Sequence, residues 1–139
     1  VTNKNSFKLI TNIRWSDTDK YGHVNNGKYF DYFEEARTTW VYQTPALIQW
    51  AKKNTIQLVI SEQCCNYKIP LTHPNKLEVS QTVIKCGAAS IELNYEIKIF
   101  GSNEIATAAR VKLACYNATT GRLHKLPKEI KDYLLENDK

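Results

Sequence analysis

The sequence predicts an α+β fold: one domain in which a curved antiparallel sheet of about five strands wraps round one long central helix. Three observations lead there. One long helical stripe comes early, a series of alternating apolar segments follows it, and runs of strand after a helix indicate α+β layering rather than a βαβ array. The 139 residues, 42% of them hydrophobic, suffice for one real core and are too few for two domains of this size, so residues 1–139 are read as a single domain.

The first apolar run, Phe7 to Trp15, alternates as a strand with Phe7, Leu9, Thr11, Ile13 and Trp15 on one face. A polar turn containing Gly22 follows, and Asn25 or Asn26 is placed to cap a helix through its side-chain oxygen. From Tyr29 the period is helical: Tyr29, Phe33, Ala36 and Trp40 form one stripe, flanked by Phe30, Arg37 and Val41. So many aromatics suit a helix packed across a sheet. Thr44-Pro45 opens a second short helix to about Lys53.

A strand from Ile56 to about Tyr67 is closed by Pro70. Leu77–Cys86, Ile91–Ile99 and Ile105–Cys115 are further strands, the last two with strict alternation. Gly87-Ala88-Ala89, Gly101-Ser102-Asn103 and Thr119-Thr120-Gly121 supply the turns, and Lys128 to Leu135 closes as a short helix after Pro127. An open sheet of this kind has edges, and long edges are normally paired or covered, so a homodimer or homotetramer is expected.

Composition narrows the function classes. No run of about 18 apolar residues exists, which excludes a spanning helix. The polar start, Val1 to Ser6, has no apolar signal region, so a cytoplasmic location is expected. Cys64, Cys65, Cys86 and Cys115 lack metal-ligand spacing and read as buried thiols, and His73 and His124 stand apart, so neither a metal nor a cofactor is expected. The net charge of +5 suits an anionic ligand. Nucleic acid is not expected, because the lysines are scattered and no basic-aromatic platform accompanies them.

The chemistry concentrates in Arg14 to Val24, followed by Asn25-Asn26-Gly27. Asp17 and Asp19 alternate in a turn that feeds a helix start. A carboxylate there can attack an acyl carbon or activate water, while free helix N–H groups hold the oxygen that becomes negative. Aspartate is also a favoured turn residue in its own right. Gly27, in the first helical turn, leaves backbone N–H groups open to a substrate.

This string resembles the signature of single-domain acyl-CoA thioesterases of the hotdog fold, of 4-hydroxybenzoyl-CoA thioesterase type. In that family D-x-D-x-x-G leads into the central helix and N-x-x-Y-x-x-Y/F-x-E-A-R follows. Here the chain reads Asp17-Thr18-Asp19-Lys20-Tyr21-Gly22, then His23-Val24-Asn25-Asn26-Gly27 and, further on, Glu35-Ala36-Arg37. Asn66 to Leu71 and Gly121 to Pro127 also look like the family.

The resemblance implies an acyl-CoA thioester hydrolase with Asp19 as nucleophile or general base, Asp17 holding the turn, and Asn26 and Gly27 giving main-chain oxyanion donors. Where another branch has a histidine seven places after the catalytic aspartate, this chain has Asn26, which can orient water but cannot shuttle a proton. His23 is a further candidate for substrate contact. Tyr29, Phe33 and Tyr67 are candidates for the acyl pocket, each equally suited to core packing. Lys85, Arg122 and Lys125 are candidates for the phosphates of CoA, although the chain lacks the arginine cluster some relatives carry beside Lys85. Acyl carrier protein is the alternative thiol partner. The rival functions are a non-catalytic acyl-CoA-binding hotdog protein and a hotdog enoyl-CoA hydratase.

Overall fold

The computed structural model describes residues 5–135. In order they form β1 (Ser6–Asn12), α1 (Lys28–Tyr42), α2 (Pro45–Lys53), β2 (Ile56–Tyr67), β3 (Lys76–Cys86), β4 (Ser90–Ile99), β5 (Thr107–Asn117), β6 (Arg122–Leu123) and α3 (Lys128–Leu135), with a short 3-10 turn at Trp15–Asp17. The strands make one antiparallel sheet in the order β1-β3-β4-β5-β2, with the two-residue β6 paired to the far end of β5. This sheet curls round α1 in the hotdog arrangement.

Alternation explains the layers. Leu77, Val79 and Val83 of β3, Ile91, Leu93, Tyr95 and Ile97 of β4, and Ala109, Val111, Leu113 and Cys115 of β5 all point inward and are buried. Helix α1 turns Tyr29, Tyr32, Phe33, Ala36, Arg37 and Trp40 towards them, a set spaced at three and four residues. It packs on β1 and β3, while α2 lies against α1 and β2, and α3 against β3. Lateral polar pairs such as Arg110–Glu92 at 2.9 Å occupy the outer face.

Three expectations need correction. The first strand ends at Asn12, and Trp15 is 77% exposed rather than on the inner face. After Ile13 donates its N–H to the Asn75 carbonyl, the chain turns and the two-residue alternation is lost. The helix begins at Lys28 with Gly27 at its cap and no side-chain cap. The Asn25 Oδ1 instead accepts from the Gly27 N–H at 3.0 Å. Of the four cysteines, all free thiols, only Cys115 is buried, and Cys64 is exposed because it pairs with Arg110 on the outer face of the sheet.

Among the described residues, nothing pairs with the outer side of β2. This strand hydrogen-bonds β5 on one side only, and a bulge between Ile60 and Glu62 interrupts the register. Val59, Ile60 and Tyr67 are exposed along it.

Because Leu113 is fully buried at the centre of the sheet, Leu113→Ala should lower unfolding free energy by about 2–5 kcal/mol in urea titrations. A loss below about 1 kcal/mol would contradict the packing described.

Candidate active site

The segment before α1 is a small, tightly pinned loop. Thr18 bridges Val24 and His23 bridges Thr72. Asn25 N–H donates to the Asp17 carbonyl at 2.8 Å, and Val24 N–H to the Leu71 carbonyl at 2.8 Å. At its tip, Asp19 N–H donates to the His23 carbonyl and Gly22 N–H to the Asp19 carbonyl, closing a four-residue turn. Gly22 has φ +79°, a left-handed value that a side chain rarely adopts.

The two aspartates do different things. Asp17 is 1% exposed. Its Oδ2 accepts from the Tyr32 hydroxyl at 2.8 Å and from the Arg14 N–H at 3.1 Å, and its Oδ1 accepts from Arg14 Nη2 at 3.2 Å. Burial alone would raise its pKa. The Arg14 backbone N–H, the Tyr32 hydroxyl and the Arg14 guanidinium outweigh that and hold the carboxyl below its ordinary value. Tyr32 is pushed well above the usual phenol range by burial first and then by the Asp17 carboxylate. The pair locks the loop to α1.

Asp19 is half-buried. Its Oδ1 accepts from Tyr21 N–H at 2.8 Å and from His23 N–H at 3.3 Å. Among the described residues its Oδ2 accepts no hydrogen bond, so one oxygen orients the group and the other is presented. A carboxylate held this way has the form needed of a nucleophile or base.

Around it the structure gathers several of the expected residues. His23 contributes main-chain contacts, while its imidazole makes no hydrogen bond among the described residues. Tyr29 is 3% exposed and lies close enough to Asp19 for that charge to help raise its pKa, chiefly an effect of burial. The Tyr67 ring meets Tyr29 edge-on at 4.9 Å, and its hydroxyl donates to the Asn26 carbonyl at 3.0 Å, tying the end of β2 to the start of α1. The Asn26 N–H makes no hydrogen bond among the described residues, whereas the Gly27 N–H is taken by Asn25.

Other candidates lie elsewhere. Phe33 is fully enclosed in the core, its ring 4.8 Å from that of Tyr95. Lys85 and Arg122 sit at the end of the sheet opposite Tyr67. Lys85 pairs with Glu92 and Arg122 with Asn117, while Tyr67 pairs with Thr107 at the other end of β5. Within one chain they do not meet Asp19.

Residues 13–134 match the sequence pattern of the thioesterase-like superfamily. The chain belongs to that superfamily. Among relatives it is similar to the long-chain acyl-CoA thioesterase FadM of Escherichia coli, 24% identical over 122 residues that cover 88% of this chain and 92% of FadM. It is also similar to the uncharacterized protein YsmA of Bacillus subtilis, 31% identical over 94 residues, covering 66% of this chain and 62% of YsmA. Among solved structures, the DHNA-CoA thioesterase of Staphylococcus aureus superposes with a TM-score of 0.79 at 25% identity, over 92% of this chain and 85% of that one. Membership makes a thioester hydrolase the supported activity class.

Sequence reasoning missed Tyr32 and Arg14. Tyr32 lies three residues after Tyr29 and so shares its helical face, a signal that was available. Arg14 needed the 3-10 turn, which carries no apolar period.

Tyr32→Phe should leave a buried carboxylate short of a donor and lower stability at pH 7 by about 1.5–3 kcal/mol. Asp17 has a depressed folded pKa, so its contribution is present above the unfolded value, 3.8, and is lost as pH falls through the lower folded value. The gap between wild type and Tyr32→Phe in urea midpoints should therefore narrow from pH 5 towards pH 3. A gap independent of pH contradicts the assignment.

Proposed function

We propose that this protein hydrolyses acyl-CoA thioesters to the free acid and CoA, with Asp19 as the catalytic carboxylate. The observation that carries the reading is the Asp19 side chain itself: half-buried, oriented through Oδ1 by two main-chain N–H groups, with Oδ2 unengaged beside a helix start. The similarity to FadM and to the DHNA-CoA thioesterase supports CoA thioesters as the substrate class.

Two routes fit this geometry. In one, an Asp19 oxygen attacks the thioester carbonyl carbon, the C–S bond breaks, and the CoA thiolate leaves and is protonated from solvent. Water then hydrolyses the mixed anhydride and restores the carboxylate. In the other, Asp19 takes a proton from a water that attacks directly, and that proton passes to the leaving thiolate. In both, the carbonyl oxygen gains charge and needs donors. The Asn26 N–H is the better candidate, since the Gly27 N–H must first leave the Asn25 side chain.

The 4-hydroxybenzoyl-CoA type remains part of the proposal, as does acyl carrier protein as an alternative thiol. A non-catalytic acyl-CoA binder would gain nothing from holding a half-buried carboxylate beside a thioester. A hydratase needs an acid–base pair, and no imidazole is hydrogen-bonded to Asp19.

The reading includes a homodimer formed along β2, a twelve-residue edge with exposed Val59 and Ile60 and, among the described residues, no pairing partner on its outer side. Antiparallel pairing of two such edges carries the Arg122 end of one protomer beside the Tyr67 end of the other. This gives Arg122 a route to the CoA phosphates across the interface that it lacks within one chain. A dimer of dimers would stack further copies on the polar sheet face. No helix among the described residues is long and apolar enough to cross a membrane, in keeping with the cytoplasmic location proposed.

Asp19→Asn should lower the rate of thiol release from a panel of short, medium, long and aromatic acyl-CoAs by about 10²–10⁴-fold while leaving the fold intact. Undiminished turnover by this variant defeats the catalytic assignment. Ile60→Lys on the free edge should shift sedimentation from dimer to monomer and reduce activity with it. A wild-type protein that sediments as a monomer contradicts the interface.

A further inference from the structure

Tyr67 makes a contact that a mere wall of an acyl pocket would not need. It ends β2, and its place is fixed from three directions. Its backbone pairs with Thr107, its ring meets that of Tyr29 edge-on at 4.9 Å, and the next two N–H groups, of Lys68 and Ile69, both donate to the Ala106 carbonyl, at 2.9 and 3.0 Å. The residue is nevertheless 44% exposed, so water could satisfy its hydroxyl. That hydroxyl instead donates to the Asn26 carbonyl at 3.0 Å.

The Asn26 carbonyl depends on a donor from outside the helix. Gly27 is the cap of α1, so the helical ladder begins at the Gly27 carbonyl and passes Asn26 by. One planar peptide carries both the Asn26 carbonyl and the Gly27 N–H, and that N–H donates to Asn25 Oδ1 at 3.0 Å. This peptide is held at both ends, by β2 and by the loop. The preceding peptide carries the Asn26 N–H and the Asn25 carbonyl, which accepts from the Lys28 N–H at 2.8 Å. Across the two peptides, the Asn26 N–H alone is unengaged among the described residues. The two planes meet at the Asn26 Cα, and only φ and ψ of that residue turn one against the other. Holding both carbonyls therefore fixes where the free N–H points.

We propose that Tyr67 is a positioning residue for the main-chain donor that stabilises the charged thioester oxygen. Its hydroxyl braces the Asn26–Gly27 peptide and so keeps the Asn26 N–H in one orientation. The inference rests on the hydrolase reading above. A donor fixed before reaction needs no reorganisation as the carbonyl oxygen gains charge. Without the hydroxyl, the peptide is free to rotate about Asn26, and a misplacement of about 1 Å can slow a reaction about a hundredfold. A pocket wall, by contrast, requires only the ring.

Tyr67→Phe separates these roles, because it keeps the ring against Tyr29 and removes one oxygen. Thiol release should be followed with the acyl-CoA that the wild type hydrolyses fastest. In the variant kcat should fall about ten- to a hundredfold. KM should stay within about twofold, as for an interaction made only in the transition state. The urea midpoint should stay close to that of the wild type. A second readout needs no turnover: the infrared stretch of an isotope-labelled carbonyl in benzoyl-CoA bound to Asp19→Asn. It should lie below its frequency in solution, and adding Tyr67→Phe should return it most of the way. The proposal alone is overturned if Tyr67→Phe keeps the wild-type kcat, if only KM rises, or if the carbonyl frequency is the same with and without the hydroxyl. A wild type that hydrolyses no acyl-CoA overturns the hydrolase reading and this proposal with it.

Discussion

The buried Asp17 carboxylate is the constraint on which the candidate active site depends. Three donors converge on it: the Arg14 N–H, the Arg14 guanidinium and the Tyr32 hydroxyl. One comes from the helix and two from the segment that leaves β1, so this single anion fastens an otherwise exposed loop to the central helix. Without it, the turn that presents Asp19 would be held chiefly by main-chain bonds, among them the Thr18–Val24 and His23–Thr72 bridges and the Val24 N–H to the Leu71 carbonyl. Anion and hydroxyl are both buried, which makes each indispensable to the other: either left unpaired costs more than the pair contributes.

From this anchor the roles of the two neighbouring aspartates separate. Asp17 has committed its oxygens to structure, and Asp19 has one oxygen unengaged. The same division recurs at the helix start, where the Gly27 N–H is occupied and the Asn26 N–H is not. Tyr67 then closes the arrangement from the sheet side by bonding the Asn26 carbonyl. The site therefore joins a loop, a helix terminus and an edge strand, and among the described residues the outer side of that strand has no pairing partner.

Much of this was legible in the sequence because it rests on periodicity. The two-residue alternation of Ile91 to Ile99 specifies which face is buried, and the spacing of Tyr29, Phe33, Ala36 and Trp40 specifies the helix stripe. What escaped reading lacks a period. Trp15 continued the alternation on paper, but a backbone bond to Asn75 turns the chain before it, and no local pattern encodes a partner so distant along the chain. Residue type suggested Arg122 and Lys85 as phosphate ligands, and only the sheet register shows that they stand far from Asp19 within one chain. Arg37 formed part of a recognisable string, and only packing reveals it as a buried cation. Composition likewise suggested buried thiols, while the register that sets Cys64 opposite Arg110 puts it on the outer face.

The most direct measurement is a crystal structure of the Asp19→Asn protein with a non-hydrolysable acyl-CoA analogue that keeps the carbonyl and replaces sulfur with methylene. The account predicts the carbonyl carbon within about 3.5 Å of the residue 19 side chain, or of one water held by it, with the carbonyl oxygen towards the Asn26 N–H. An analogue bound with its carbonyl further than one water from residue 19 would contradict it.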